Sequence, residues 1–456
     1  MSTTPTTSSP DTILAPASSN DRRIRAILLA LVVLTVVLRM GAVFALKSYT
    51  HPNPMEHKGI AIALLRGEGF AFNEFSYYGP SSVQSPPYPL LLATLYTVFG
   101  TDTRASYIAA MLINSFAAGV TTWIVFHLAK RMGAAPWIAL GAAALYCIWP
   151  TQIYAVTVAQ AISLITLTTV AVMWLFYVSV DTRKLTPWIA YGFLGCLGAL
   201  TEPVLLPFMA LSGLLILFWP KLPWPIRIRN AMVLFFTALL VIGPWSYRNW
   251  RVHNKFVPVK NTVWVNIWKG ANPYATGTDR LPMTDQVRKR LEEMRDRDRR
   301  NPDFDAARQY DMLTSEQRLE LDGQPEVVRE QIFRRWARQW IKDNPREFIE
   351  LSVGRLVKTI WIEWDNPKGE RVYQISRTLL LLGSTFGIFL AIRRRIRLAI
   401  PLLVVGSGLL TYTLTITAAR FALPYEPLQI ILSSLAIAWV LSRFIPSLRR
   451  EVAVNP

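Results

Sequence analysis

H-P-N-P-M-E-H-K-G-I-A-I-A-L-L-R-G-E-G-F, residues 51–70, opens a stretch that closes with S-S-V-Q-S-P-P-Y-P-L-L-L-A-T-L-Y-T-V-F-G, residues 81–100. It follows the first long apolar run and is too interrupted to be another of the same kind. Asn53 is a suitable N-cap, Pro54 suits the first helical position, and Gly67 and Gly69 supply a stop. Met55, Ile60, Ala61, Leu64 and Leu65 recur at helical spacing, with Glu56, His57 and Lys58 on other faces. The pattern predicts a short amphipathic helix that lies on a bilayer surface, with a carboxylate, Glu56, near its start.

The rest of the chain explains why a bilayer is invoked. Of 456 residues, 52% are hydrophobic, yet the formal charge is +19. Several apolar runs approach or exceed the roughly 20 residues that cross a hydrocarbon core. They are residues 26–46, 105–129, 134–149, 161–180, 187–200, 204–219, 231–245, 378–392, 398–417 and 423–444. The chain is therefore all-α and polytopic, with about ten spans. The basic excess orients such spans and needs no nucleic acid. Arg22, Arg23 and Arg25 precede the first run, and Lys130/Arg131, Lys221/Arg227/Arg229 and the 393–397 cluster follow later ones. All of them fall on one side only if residues 87–99 do not cross, which makes that segment re-entrant or superficial and puts both termini inside. Residues 1–25 begin as a Ser/Thr/Pro-rich tail without an apolar core and read as a disordered cytoplasmic segment. Cys147 and Cys196 both sit in apolar runs, so neither a disulfide framework nor a Cys-based metal site is expected.

With that parity the outer face receives the first loop (47–104), the turns at 150–160 and 201–203, the long loop 246–374, and the turn around Arg420. This divides the chain into an N-terminal membrane module (26–245), a large outer loop, and a C-terminal membrane part (375–456). The middle of the outer loop, 285–322, mixes both charge signs and reads as solvated helix and linker. From 326 to 364 an amphipathic pattern returns, with Ile332, Trp336, Trp340, Phe348 and Trp361 among basic residues, as in helices resting at an interface. No phosphate-binding glycine loop is present in the sequence, which argues against ATP-driven transport.

Four ordered segments then resemble a known family. They are M-E-H-K-G-I-A-I-A-L-L-R-G-E-G-F (55–70), Y-G-P-S-S-V-Q-S-P-P-Y-P-L-L-L-A-T-L-Y-T-V-F-G (78–100), P-W-S-Y-R-N-W-R-V-H-N-K-F-V-P-V with A-N-P-Y-A-T-G (244–259 and 271–277), and A-A-R-F-A-L-P-Y-E-P (418–427). Together they are similar to the GT-C type integral membrane glycosyltransferases, in particular the protein O-mannosyltransferase and aminoarabinose transferase group (glycosyltransferase family 39-like). The resemblance implies an enzyme that moves a sugar, with inversion, from a polyprenyl-phosphate donor to a lipid, glycan or protein acceptor. It implies no cofactor, and a site on the outer face of the cytoplasmic membrane. The chain departs from the family pattern at Asn53, Gln160 and Glu202, where many members carry an acid, an acid and a base. A non-catalytic transporter or flippase, or an assembly subunit for lipid-linked sugars, is the alternative.

Under that resemblance Glu56 is the candidate catalytic base, against a purely structural part in which it caps the Asn53 N–H. Arg248 and Arg420, at the outer ends of spans, are candidates to hold the donor phosphate, against plain snorkelling. Glu202 could line the pocket or close a helix end. His57 could bind substrate, and with only four histidines no metal site is indicated. Tyr88, Tyr78, Trp264 and Trp268 could stack on sugar or prenyl chain, or be interface aromatics. Arg39, inside the first run, is expected to pair with Glu202 or another buried acid.

Overall fold

The computed structural model describes residues 19–182, 184–278, 309–362 and 371–445, with positions 281, 284, 285 and 289. Helix α1 (Ser19–Ala45) takes in Arg22, Arg23 and Arg25, so the expected disordered tail is already helical from Ser19 onward. In the first loop, α2 is Glu56–Leu65, β1 (Ala71–Glu74) and β2 (Tyr77–Pro80) form an antiparallel hairpin, and α3 is Pro87–Phe99. Helix α4 (Arg104–Met132) starts where the Thr103 hydroxyl accepts the Ser106 N–H, and stops at Gly133, whose φ of 111° lets the chain turn away. Then come α5 (Pro136–Ile148), α6 (Pro150–Thr157), α7 (Ile162–Val180), α8 (Thr186–Thr201), α9 (Leu206–Leu217) and α10 (Trp224–Val241). The segment expected on the outer face, the outer unit, holds α11 (Gly243–His253), α12 (Val263–Lys269), α13 (Ser315–Leu321), α14 (Glu326–Asp343) and α15 (Pro345–Ile360). Last are α16 (Arg371–Arg393), α17 (Ala399–Leu414), α18 (Ala419–Ala422) and α19 (Glu426–Phe444).

Among the described residues six helices are long and apolar enough to cross a membrane, and a seventh span forms if α5 and α6 are taken as one. That pair is bent by 46° at Trp149, which is extended (ψ 122°) because Pro150 follows. Helices α8, α9 and α17 are shorter, at 16, 12 and 16 residues, and the expected count of about ten is reached only if each of them also crosses. Burial sorts the spans by place. The apolar windows of α4 and α7 are 61% and 78% buried, whereas those of α1 and α10 are 22% and 17% buried, so the first pair is central and the second faces lipid.

The two ends of the bundle differ in charge. Asp181, after α7, accepts from Arg131 at the end of α4 and from both terminal nitrogens of Arg397 between α16 and α17. Arg23 near the start of α1 lies over the Trp137 ring at the start of α5. The basic clusters thus collect at one end. At the other end Tyr49, after α1, shares an apolar cluster with Tyr88 and Tyr96 of α3 and Tyr107 of α4. Residues 46–103 therefore leave α1 and enter α4 at the same end, and α3, only 13 residues long, does not cross the bundle.

Two buried contacts fix the last helices. Gly387 of α16 packs so closely on α19 that a Cβ there would collide with the Leu432 carbonyl. Arg377 of α16, 1% exposed, meets Glu426, 0% exposed, at 3.0 Å. The same guanidinium donates to the carbonyls of Thr359, Ile360 and Trp361, the free end of α15. Glu426 in turn accepts from Thr151 and Gln152 of α6. Among the described residues Arg39 meets no acid. Its guanidinium donates to the carbonyls of Thr35, Tyr146 and Cys147 and lies over the Tyr146 ring, so the expected pair with Glu202 is not formed. The break after α5 accounts for this: Pro150 offers the Tyr146 carbonyl no helical N–H, so that oxygen accepts from the cation beside the Trp149 N–H.

Candidate functional site

At the end of the bundle away from the basic clusters lies a cavity of about 730 Å³. Its wall is built from the first loop, the α8–α9 turn, α12, α14 and the α17–α18 turn. The local structure around Glu56 differs from the sequence expectation. Helix α2 begins at Glu56 itself, its N-cap is Met55, and no side chain caps it. Asn53 is therefore not the cap and Pro54 is not the first helical residue. The Asn53 carbonyl instead accepts from the Gln160 amide at 3.0 Å, which ties the segment to α7's entry. Met55 is left at φ 52°, ψ −141°, a region an L-residue enters only at a cost of about 1–3 kcal/mol. That strain sits one residue from the candidate carboxylate.

Glu56 lines the cavity, and its Oε2 accepts from Gln84 Nε2 at 3.1 Å. Burial pushes its pKa up, but its own backbone N–H, His57 when protonated, Lys269 and Arg420 push it down. The sum lies below the ordinary carboxylate value. His57 stands edge-on to Tyr88, with ring centroids 5.0 Å apart. Burial first, then Lys260, bring its pKa down to about 4 against the pull of Glu56, so the imidazole is neutral at pH 7. Tyr88, 1% exposed, forms part of the wall. Arg420 is half-buried on the opposite side, its guanidinium 5.2 Å from the Phe421 ring centre. Glu202 also lines the cavity, joined to Lys260 at 3.1 Å.

Five of the six sequence candidates, Glu56, His57, Tyr88, Glu202 and Arg420, thus share one cavity. Arg248 does not line it. Its guanidinium donates to the carbonyls of Ser81 and Phe70 and to Asn249 Oδ1, between the rings of Trp245 and Phe70. These bonds clamp the first loop onto α11. Tyr78 is exposed and donates to Glu68, away from the cavity. Trp264 carries Arg334 and Arg338 over its ring, and Trp268 packs with Tyr310 and Phe333 beneath the wall.

The sequence reading missed most of the charge that the outer loop brings in. Lys260, Lys269, Glu326, Arg329 and Glu330 line the cavity, as does Glu74 of the hairpin. Glu74 pairs with Arg329 at 2.8 Å. Glu330 accepts the N–H groups of Trp264 and Val265 in the first turn of α12, and burial pushes its pKa up to about 7. Glu326, also raised by burial, accepts from the Ser81 hydroxyl and the Ser82 N–H. The amphipathic period of α14 was the available signal, since Glu326, Arg329, Glu330 and Phe333 share one face. Among the described residues no group of three or more His, Cys, Asp or Glu is arranged to hold a metal ion.

The arrangement holds a carboxylate ionised at neutral pH beside a neutral imidazole, with two cations near enough to act on it. Such a site can accept a proton and can bind a phosphate.

No family model matches the sequence, and no curated protein matches it. Solved structures do. The archaeal oligosaccharyltransferase AglB from Archaeoglobus fulgidus, in complex with an inhibitory peptide and a dolichol-phosphate, overlays with a TM-score of 0.53 at 13% identity. That match covers 96% of this chain and 53% of AglB. The apo form of the A. fulgidus enzyme gives a TM-score of 0.52 at 11% identity, covering 95% and 52%. ArnT from Cupriavidus metallidurans bound to undecaprenyl phosphate overlays over 96% of this chain and 82% of ArnT at 12% identity, with a TM-score of 0.36 that carries no argument. The chain spans about half the length of the oligosaccharyltransferase structures it matches. At these identities the likeness speaks for the fold, which is that of the GT-C integral membrane glycosyltransferases.

Proposed function

We propose that the chain is a glycosyltransferase that takes a sugar from a polyprenyl-phosphate-linked donor and passes it to an acceptor on the outer face of the cytoplasmic membrane. The observation that carries this reading is the convergence, in one cavity, of a carboxylate held below its ordinary pKa with Arg420 and Lys269. Glu56 would take the proton of the acceptor hydroxyl or amine as it attacks the anomeric carbon, giving inversion. The leaving polyprenyl phosphate is a good leaving group already. It needs cationic stabilisation more than protonation, and Arg420 with Lys269 would supply it. The charged ends of the bundle support the orientation, since the basic clusters belong on the cytoplasmic side and the cavity lies at the opposite end.

The test is incubation of the purified protein in lipid nanodiscs with a panel of polyprenyl-phosphate sugars, measuring released polyprenyl phosphate. Glu56→Gln keeps the shape and the contact with Gln84 but cannot accept a proton. Turnover should fall by about 10²–10⁴-fold with donor affinity and thermal stability close to the parent. Near-normal turnover in Glu56→Gln would move the base elsewhere, first to Glu202.

A further inference from the structure

A buried polar cluster lies behind the cavity and takes no part in the chemistry above. Ser82 Oγ meets Asn249 Oδ1 at 3.0 Å and His253 Nε2 at 2.6 Å. Ser82 N–H and Ser81 Oγ both donate to Glu326 Oε2 at 2.8 Å. Arg248 donates to the Ser81 carbonyl, and the Asn261 N–H to that of Ser82. Ser81, Ser82, Asn249 and Glu326 are each less than 5% exposed. Groups from α11, α14 and the segment before α12 therefore converge on two adjacent serines. Nothing in that cluster reaches the cavity as a reactive group except Glu326. What it does fix is the course of the backbone at 81–82, and two residues further on is Gln84.

Gln84 is half-buried in the cavity wall, with its amide nitrogen 3.1 Å from Glu56 Oε2. An ionised carboxylate only accepts, so the amide must present its N–H there. Glu56 is the first residue of its helix, after a strained Met55 and without a side-chain cap, so α2 by itself does little to select its rotamer. We infer that Gln84 is a positioning residue: it orients the Glu56 carboxylate by donating to it, and the Ser81–Ser82 cluster is the mount that holds Gln84 in place. The inference rests on Glu56 being the base. It gives α11 and α14 a part in catalysis through the mount they hold.

The sign of the effect follows from the bond. A donor to the ionised form lowers a carboxylate's pKa, so removing it raises the pKa and leaves the base protonated at higher pH. In Gln84→Leu, kcat should fall by about 10-fold and the acid limb of its pH profile should move up by about one unit, the scale of one hydrogen bond to a charged group. The KM for the polyprenyl-phosphate sugar should stay near the parent's, since Gln84 is not placed on the donor. Gln84→Met removes the same donor on an unbranched chain and serves equally if the Leu variant is poorly folded. A readout without turnover separates this inference from the reading it rests on. The carboxylate infrared band lost in Glu56→Gln defines Glu56, and its titration midpoint should rise by the same unit in the Gln84 variants. An unmoved midpoint overturns the positioning role whether or not kcat falls, because a fall alone reports only structural damage. A moved midpoint with normal turnover in Glu56→Gln confirms the contact while refuting Glu56 as base.

Discussion

Arginines 248 and 420 are both sequence candidates for the donor phosphate, and the structure separates them into a comparison that can be measured. The Arg420 side chain makes no hydrogen bond or ion pair among the described residues and lines the cavity that holds Glu56. Arg248 already uses its donors on two carbonyls and an amide. A guanidinium binding a phosphate makes two parallel charge-assisted bonds, each worth about 1.5–3 kcal/mol and not additive. Arg420→Ala should therefore weaken donor binding by about 1.5–3 kcal/mol, or roughly 10- to 150-fold in Kd. Arg420→Lys should recover only part of this, because an ammonium is a point charge and cannot make the fork. Arg248→Ala should leave donor affinity within about 3-fold while lowering stability by about 1–3 kcal/mol, the cost of stranding buried carbonyls. Binding of a fluorescent polyprenyl-phosphate sugar, measured beside thermal denaturation, reads both quantities on the same samples. Unchanged affinity in Arg420→Ala would return that residue to the membrane interface as a snorkelling cation. Equal loss in both variants would mean that the phosphate sits nearer the first loop than the cavity geometry allows.

Two further outcomes are expected. With Cys147 and Cys196 replaced, a cysteine at position 346 should react with an impermeant thiol reagent in intact cells and one at position 184 should not; the opposite pattern would invert the proposed topology. Glu330 has a folded pKa raised to about 7 from 4.5, so its destabilising effect is absent below the unfolded value and grows as pH rises through the window from about 4.5 to 7. Stability should fall across that window by up to the order of 3 kcal/mol, and Glu330→Gln should flatten the dependence; an unchanged slope in the variant would assign it to other groups.

Hydropathy was enough to read the six long spanning helices, because a bilayer imposes length and apolarity on them and little else competes. It was not enough for the first loop. The hairpin at 71–80 turns through Phe75 and Ser76, both at positive φ (50° and 56°), where asparagine or glycine would have signalled the turn. Tertiary contacts hold it instead: Phe75 sits against Tyr310 and Phe333 under the Arg329 guanidinium. Asn53 was misread for a related reason, since the carbonyl bond to Gln160 leaves it outside the helix that its side chain was expected to start. Glu56, Glu202 and Arg420 were legible as isolated charges near span ends. Their companions Glu326, Arg329 and Glu330 were not: the period of α14 puts them on one face, but only the fold says that this face turns into the cavity. Arg248 was legible as important, but its role as a backbone clamp depends on carbonyls far away in sequence.

One guanidinium, that of Arg377, holds the last two carbonyls of α15, that of Trp361 just after it, and the first carboxylate of α19 together, out of reach of water. Lifting α15 from this point would strand an unpaired charge at a cost of about 3–5 kcal/mol, which keeps the lifted state rare. The outer unit is thus tethered at its C-terminal end to a fixed pivot. Any swing that admits a bulky acceptor must have its largest amplitude far from Arg377, on the side where α12 and α14 meet the first loop. That is also the side where a small tilt would be transmitted through Ser81 and Ser82 to the carboxylate itself.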